Sequence, residues 1–109
     1  TNVPKEFVLF QNYPNPFNPA TKIKFQIPSN VKSETSSNYP HFTKGGQGGF
    51  ITLKIYDVIG REISILINQQ LQPGTYEVTF DGGKYSSGVY FYKIETEGFT
   101  EVKRMVLLK

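Results

Sequence analysis

The chain has 109 residues, which is enough for one small domain. Its 12 Lys and Arg against 9 Asp and Glu are spread along the chain, whereas a nucleic-acid-binding surface needs a dense basic patch. The absence of cysteine excludes disulfides and cysteine-ligated metals, and no apolar stretch approaches the roughly 20 residues of a membrane-spanning helix. Because the first residues, TNVP, do not resemble a signal peptide, we expect a piece of a longer protein.

The first distinctive segment in chain order is Gln11–Pro19 (QNYPNPFNP), hereafter the head. Proline lacks an amide donor and pushes the residue before it out of the helical region. The head is therefore predicted to be an irregular loop with fixed backbone angles, neither a helix nor a central strand. We expect it to guide the chain into the first sheet, with Tyr13 and Phe17 covering one end of the core.

Seven segments are candidate strands, at 6–10, 21–27, 50–57, 61–67, 75–81, 89–96 and 99–108. Most of them alternate apolar and polar residues with the period of a half-buried strand, whereas 6–10 is short and apolar. No segment has apolar residues at helical spacing over three turns. Short strands separated by frequent turn signals predict an all-β fold, a seven-stranded antiparallel β-sandwich. In such a fold the aligned Ile, Phe, Tyr and Val side chains of two sheets pack face to face.

The third and fourth strands are predicted to form a hairpin around Asp57–Gly60 (DVIG). Asp at the first turn position bonds the backbone ahead of it, and Gly at the fourth accepts a positive φ. In the fourth strand, Ile63, Ile65 and Ile67 are expected to align on one face. The last strand changes phase along its length, which we interpret as a β-bulge.

The segment 28–49 is long for a connection inside a compact domain, and it is polar and then glycine-rich. We expect a flexible surface insertion at about 29–49. Its glycines at 45–49 lack the Lys-Ser or Lys-Thr and the following helix of a phosphate-binding loop. His41, the single histidine, has no neighbouring ligands or nucleophile, so a solvated position is favoured.

The remaining polar residues give no strong sign of catalysis. The sequence offers carboxylates for glycoside hydrolysis, but each lies at an outward strand position or beside charged neighbours: Glu62, Glu77, Glu95 and Glu101. We therefore predict no enzyme and no cofactor. Asp57 and Asp81 end strands at turns and are candidate calcium ligands, although turn formation explains both. Strand parity places Tyr56, Tyr85 and Phe91 outward, where they could stack on a sugar or a partner protein.

The head continues into a stretch that resembles the opening of type A C-terminal sorting domains of the type IX (Por) secretion system. The resemblance is carried by five stretches in the family's order: Gln11–Ile23 (QNYPNPFNPATKI), Leu53–Ile63 (LKIYDVIGREI), Leu71–Val78 (LQPGTYEV), Ser87–Ile94 (SGVYFYKI) and Lys103–Lys109 (KRMVLLK). The departure is Pro28–Gly49, where most members have only a few residues. Long surface insertions cost little closure entropy, so the core should be unaffected.

The resemblance implies an immunoglobulin-like sandwich that occupies residues 1–109 as a single sorting domain. It implies a non-catalytic signal that directs an upstream cargo of the same precursor through the outer membrane, with cleavage after export. The implied partners are the type IX machinery and a sortase-like signal peptidase, with neither nucleic acid nor a transmembrane segment. The implied location is the exterior or cell surface of a Gram-negative bacterium. The alternatives are a structural immunoglobulin-like spacer or assembly module and a carbohydrate-binding module of a secreted enzyme.

The resemblance also suggests which residues matter. The last strand is the candidate for recognition by the translocon, because its cations are expected to be exposed and an edge strand accepts strand addition: Lys103, Arg104, Met105, Val106, Leu107, Leu108 and Lys109. The other family-motif residues are interpreted as structural: Asn12, Pro14, Asn15, Pro16, Asn18, Pro19, Asp57, Gly60, Arg61, Gly74, Tyr76, Gly88 and Tyr90.

Overall fold

The computed structural model describes residues 6–29 and 49–109. Every regular element in these two ranges is a strand, as the alternating sequence pattern predicts. The strands are β1 (Val8–Leu9), β2 (Ala20–Ile27), β3 (Gly49–Tyr56), β4 (Glu62–Leu71), β5 (Gly74–Asp81), β6 (Gly88–Thr96) and β7 (Phe99–Leu107). The observed β1 is shorter than expected and β4 is longer.

The strands form two antiparallel sheets, one in the order β1-β2-β5 and the other in the order β4-β3-β6-β7. The predicted hairpin between β3 and β4 is present. In the constant-type immunoglobulin arrangement the fourth strand joins the sheet of the first two strands. Here it pairs with β3 instead, which leaves β4 and β7 as the two edges of the larger sheet. The all-β sandwich prediction is confirmed.

The core lies between the sheets and is built from alternate residues of the central strands. On β2 these are Ile23, Phe25 and Ile27, and the facing strand β3 contributes Ile51, Leu53 and Ile55, all inaccessible to solvent. Tyr92 on β6 is equally buried and donates its hydroxyl to the Phe10 carbonyl at 2.7 Å. Burial raises the pKa of Tyr92 to about 12, so this hydroxyl stays protonated at neutral pH.

Strand β4 does not align its three isoleucines as expected. The pairing of β3 with β4 shifts register between Leu53 and Lys54 and again between Ile55 and Tyr56. Ile67 stays in the core, but Ile65 lies opposite Lys54 and is half-exposed. The prediction is wrong because each unpaired residue in a strand reverses the face that the following side chains take.

Strand β7 lacks the expected bulge. Its pairing with β6 is continuous from Gly88 opposite Leu107 to Thr96 opposite Phe99. The two phases of the sequence are two faces of one regular strand: Met105 and Leu107 are in the core, while Val102 is half-exposed on the outer face. The prediction is wrong because the inward face stops being apolar beyond the core, where Glu101 and Lys103 form an ion pair at 3.3 Å.

The predicted insertion at about 29–49 and His41 lie outside the described residues, apart from the flanking Ser29 and Gly49. Ile27 pairs with Gly74, and Gly49 pairs with Leu71. Because only two residues join β4 to β5, both attachment points lie at the end of the sandwich where β4 passes into β5.

Candidate recognition surface at the tail end

Most of the sequence motifs described above lie at the end of the sandwich opposite the attachment points of residues 29–49. This end is called the tail end hereafter. Tyr56 at the end of β3 pairs with Phe91, which pairs with Arg104 of β7. The head reaches the same end, because Phe17 forms a parallel bridge with Leu107. The family motif around Gly74 and Tyr76 lies at the opposite end. The fold thus brings together the head, the Asp57 turn, the start of β6 and the tail strand.

A buried asparagine fixes the first part of the head. The side chain of Asn12 is 2% exposed and donates from Nδ2 to the Pro14 carbonyl at 3.1 Å and to Thr21 Oγ1 at 3.0 Å. The Thr21 hydroxyl, buried on β2, donates in turn to the same Pro14 carbonyl at 2.8 Å. A buried polar side chain must be satisfied in this way to be tolerated, so Asn12 is structural here.

The head changes sheets, and so it is more than the irregular loop that its prolines predict. Tyr13 exchanges two backbone hydrogen bonds of 3.0 Å with Lys22 of β2, beside β1. Four residues later, the Phe17 amide donates to the Val106 carbonyl and the Phe17 carbonyl accepts from the Leu108 amide, both at 2.9 Å. The peptide bonds before Pro14, Pro16 and Pro19 are cis.

Side chains of the head also bond the edge of β7. Gln11 donates from Nε2 to the Arg104 carbonyl at 2.8 Å, and Asn15 accepts the Val106 amide on Oδ1 at 3.0 Å. Asn18 is exposed, and no side-chain hydrogen bond joins it to β7 in the described parts of the chain. The head therefore covers the outward backbone groups of the tail half of β7.

The end of the core is closed by Phe17, which is 2% exposed and meets Phe80 edge-on at 6.0 Å. This part of the expectation for the head is confirmed. The same expectation for Tyr13 is wrong, because its side chain is 80% exposed. Tyr13 pairs through its backbone with an outward-facing residue of β2 and so points away from the core. Gly82 lies directly against this closed end of the core, and its amide donates to the Pro19 carbonyl at 2.7 Å.

The tail residues proposed for recognition fall into two groups. Met105 and Leu107 are completely buried, while Arg104 and Leu108 are exposed. Val106 is partly buried, and so is Lys103, whose side chain pairs with Glu101. The tail lies on an edge strand, since β6 is the only strand that pairs with β7 among the described elements.

Lys109 is exposed but its ammonium group is engaged. Nζ donates to the Gly83 carbonyl at 2.6 Å and to the Tyr85 carbonyl at 2.8 Å, and its backbone amide donates to Ser87 Oγ at 2.9 Å. Of the three cations at 103–109, Arg104 alone makes no side-chain hydrogen bond or ion pair within the described ranges. The expectation of exposed cations therefore holds for Arg104 and Lys109, whereas Lys103 is partly buried.

The Asp57 turn forms as predicted, with Gly60 at φ 94°. Asp57 Oδ1 accepts the amides of Ile59 and Arg61 at 3.0 and 2.9 Å, and Oδ2 accepts Arg61 Nε at 2.8 Å. The Arg61 backbone amide is the main cause that holds the pKa of the Asp57 carboxyl below its ordinary value. With its oxygens used in this way, Asp57 is a turn residue. The turn presents Val58 and Ile59, whose side chains are about 70% exposed.

Two tyrosine hydroxyls close turns in a way that the sequence analysis missed. Tyr90, near the start of β6, donates to the Ser86 carbonyl at 2.7 Å, and Tyr76, near the start of β5, donates to the Gln72 carbonyl at 2.7 Å. Each hydroxyl reaches back four residues, as in the tyrosine corner of immunoglobulin-like domains. The signal was present as a repeated Gly-X-Tyr, with Gly74 and Gly88 at positive φ. In both motifs the tyrosine holds the turn that precedes its strand.

The residues considered for sugar or calcium binding lie at the following places in the fold. Tyr85 packs on Phe80 and donates its hydroxyl to the Ile63 carbonyl at 3.0 Å, so it does not belong to an outward sugar platform. Tyr56 and Phe91 are partly buried cross-strand neighbours on the outer face. Asp81 accepts the Gly83 amide at 2.8 Å. Within 6–29 and 49–109, no three His, Asp or Glu side chains gather as a metal site would require.

The carboxylates considered for glycoside hydrolysis are dispersed. Glu62 pairs with Lys54 at 3.3 Å on one edge of the larger sheet, and Glu101 pairs with Lys103 on the other. Glu77 lies in the smaller sheet, opposite Lys24. Glu95 lies opposite Thr100 in the larger sheet. Retaining or inverting glycosidases place two carboxyl groups within about 10 Å of each other on a shared cleft, whereas these four carboxylates lie on four different strands and two of them are paired with lysines.

The comparisons with known proteins agree with the fold and the motifs. A search of curated proteins finds no match. No helix long and apolar enough to cross a membrane occurs in the described part of the chain. Residues 11–108, from the first residue of the head to the next-to-last residue of the tail, match the family described as the secretion system C-terminal sorting domain. The chain belongs to this family, the sorting domains of the type IX secretion system.

Proposed function

We propose that this domain directs the export of an attached cargo through the type IX system and that a sortase-like peptidase removes it afterwards. The family match supports a sorting signal and therefore an exported protein, secreted or at the cell surface of a Bacteroidetes-type bacterium. Domains of this family are non-catalytic in general. The dispersed carboxylates, and turn aspartates that accept backbone amides, are consistent with a role in recognition alone.

We further propose that the machinery reads the tail strand. The observation that carries this proposal is the position of β7 at a sheet edge, with Arg104 and Leu108 exposed at the tail end. Strand edges accept extended partners through main-chain hydrogen bonds. Arg104 adds a cation that has no side-chain partner in the described residues, which favours an acidic group on the partner.

Deleting residues 103–109 is a poor test of this surface, because it also removes Met105 and Leu107 from the core. Two such truncations would each cost about 2–5 kcal/mol, and the domain would unfold. A cleaner variant is R104E with L108E, which changes exposed side chains only. The matched control is K22E, a charge reversal at an exposed position of the smaller sheet.

The variants are compared as fusions to a periplasmic reporter in a host with the type IX system, and the reporter is measured in the periplasm and outside the cell. We expect the double variant to accumulate in the periplasm, while the wild-type and K22E fusions are exported. The urea midpoints of the three domains should agree. Normal export of the double variant would show that the machinery reads another surface.

A further inference from the structure

Within 6–29 and 49–109, the edge of β7 is divided into a covered half and an uncovered half. In an antiparallel pair, alternate residues direct both backbone groups toward the partner strand. The bonds from Arg104, Val106 and Leu108 to the head show that even-numbered residues of β7 point away from β6. Thr100 and Val102 share this parity, and no backbone hydrogen bond joins them to another segment in the described residues.

The uncovered half is shaped to accept a strand. Val102 presents an outward amide, an outward carbonyl and a half-exposed apolar side chain. Arg104 marks the boundary, because its carbonyl is bonded by Gln11 while its amide faces outward and its side chain is exposed. A strand edge with free backbone groups and no proline is a template for pairing.

Part of the covered half is held by bonds that can be exchanged. Two of the four contacts use side chains, those of Gln11 and Asn15, and the other two use the backbone of Phe17. An incoming strand would offer main-chain partners to the Arg104 carbonyl and the Val106 amide in place of these two side chains, whereas Phe17, which is 2% exposed, stays in the core. Removing Asn15 Oδ1 costs the Val106 amide its acceptor but leaves the core untouched, because Asn15 is exposed.

We infer that the side chains of Gln11 and Asn15 are a removable cover on β7 and that the surface read first is the uncovered stretch Thr100–Arg104. The occupant is an extended strand of the export machinery, with an apolar residue beside Val102 and an acidic residue beside Arg104. Pairing starts at Val102 and extends to the Val106 amide as the Gln11 and Asn15 side chains are displaced. This inference rests on the proposed function, since it specifies how the tail is read.

The first test uses proline, which removes an amide donor and is tolerated on edge strands where that amide faces away from the sheet. V102P removes the outward amide of Val102 without a bond to β6, and V102T keeps the amide and the branched shape. As reporter fusions, V102P should lower extracellular reporter at least about tenfold, the factor for roughly 1.4 kcal/mol, while V102T is exported normally. Urea midpoints check that both variants fold.

The second test releases the cover. N15A should speed hydrogen exchange of the Val106 amide by about tenfold, since it removes one hydrogen bond, and should also raise the rate of export. N18A is the matched control, because Asn18 lies in the same head and makes no side-chain bond to β7 in the described residues. Both measurements should be unchanged in N18A.

Each other outcome overturns the inference in a recognisable way. Equal loss of export in V102P and V102T would mean that the side chain is read rather than the backbone. Normal export of V102P would mean that this edge is not used, and a change in its sedimentation instead would identify a second copy of the chain as the occupant. Unchanged or slower export of N15A would show that the head is not a cover. Periplasmic retention of the unmodified fusion would overturn the proposed function as well.

Discussion

Tyrosine hydroxyls at the starts of β5 and β6 hold the turns that carry the family's Gly-X-Tyr motifs. Tyr90→Phe should lower the free energy of unfolding by about 1 kcal/mol, because it deletes one hydrogen bond and strands the Ser86 carbonyl. Tyr76→Phe should cost less, since its bond to the Gln72 carbonyl is exposed to water. Urea denaturation of the two variants measures the difference. Equal losses, or no loss at Tyr90, would contradict the assignment.

The Asp57 carboxylate gives the second prediction at this scale. Because folding lowers its pKa, its contribution to stability is fully present above its ordinary pKa of about 3.9 and is lost as the pH falls through the lower folded value. Asp57→Asn removes this contribution. We expect the wild type to exceed the variant in stability at neutral pH and the gap to close in acid. A gap that stays constant from neutral pH into acid would contradict the turn geometry.

At the scale of the elements, the close packing between the head, β5 and β7 depends on a glycine. A Cβ on Gly82 would lie 3.1 Å from Leu107 Cδ2 and 3.3 Å from both Phe17 Cε2 and the Pro19 carbonyl oxygen. Gly82→Ala should therefore cost about 1–3 kcal/mol, as overpacking does. Gly49→Ala is the control, because nothing described lies within 4 Å of its Cβ. Thermal or urea unfolding measures the stability of both variants, and equal stability would contradict this close packing at Gly82.

The sequence predicts the strands well where apolar and polar residues alternate cleanly. It predicts them poorly where register shifts or outward-facing apolar residues disturb that alternation. β2 and β3 alternate cleanly and match within one residue at each end. In β4 the regular spacing of Ile63, Ile65 and Ile67 hides two register shifts, because alternation does not record which residues pair. In β7 the apolar Val102, Val106 and Leu108 lie outside the core, so hydrophobicity alone gives the wrong phase.

At the scale of the whole molecule, the strand topology decides which motifs lie near each other, and the sequence does not show that topology. The head, the Asp57 turn and the tail are distant in the chain but meet at one end, while the Gly74 motif lies at the other. The residues of the candidate surface were found through the family resemblance. Only the structure shows which of these residues lie in the core, on the covered edge or on the free edge, because this depends on the pairing of Phe17 with β7. The head was expected to be mainly structural, and its contact with the tail links the two motifs.

We propose above all that residues 1–109 act as a type IX sorting signal. The most direct measurement is the fraction of a periplasmic reporter, fused ahead of this domain, that appears outside the cell in a host with the type IX system and in the same host lacking its outer-membrane pore. We expect extracellular reporter in the first host and periplasmic reporter in the second. Retention in both hosts, or release from both, would contradict it.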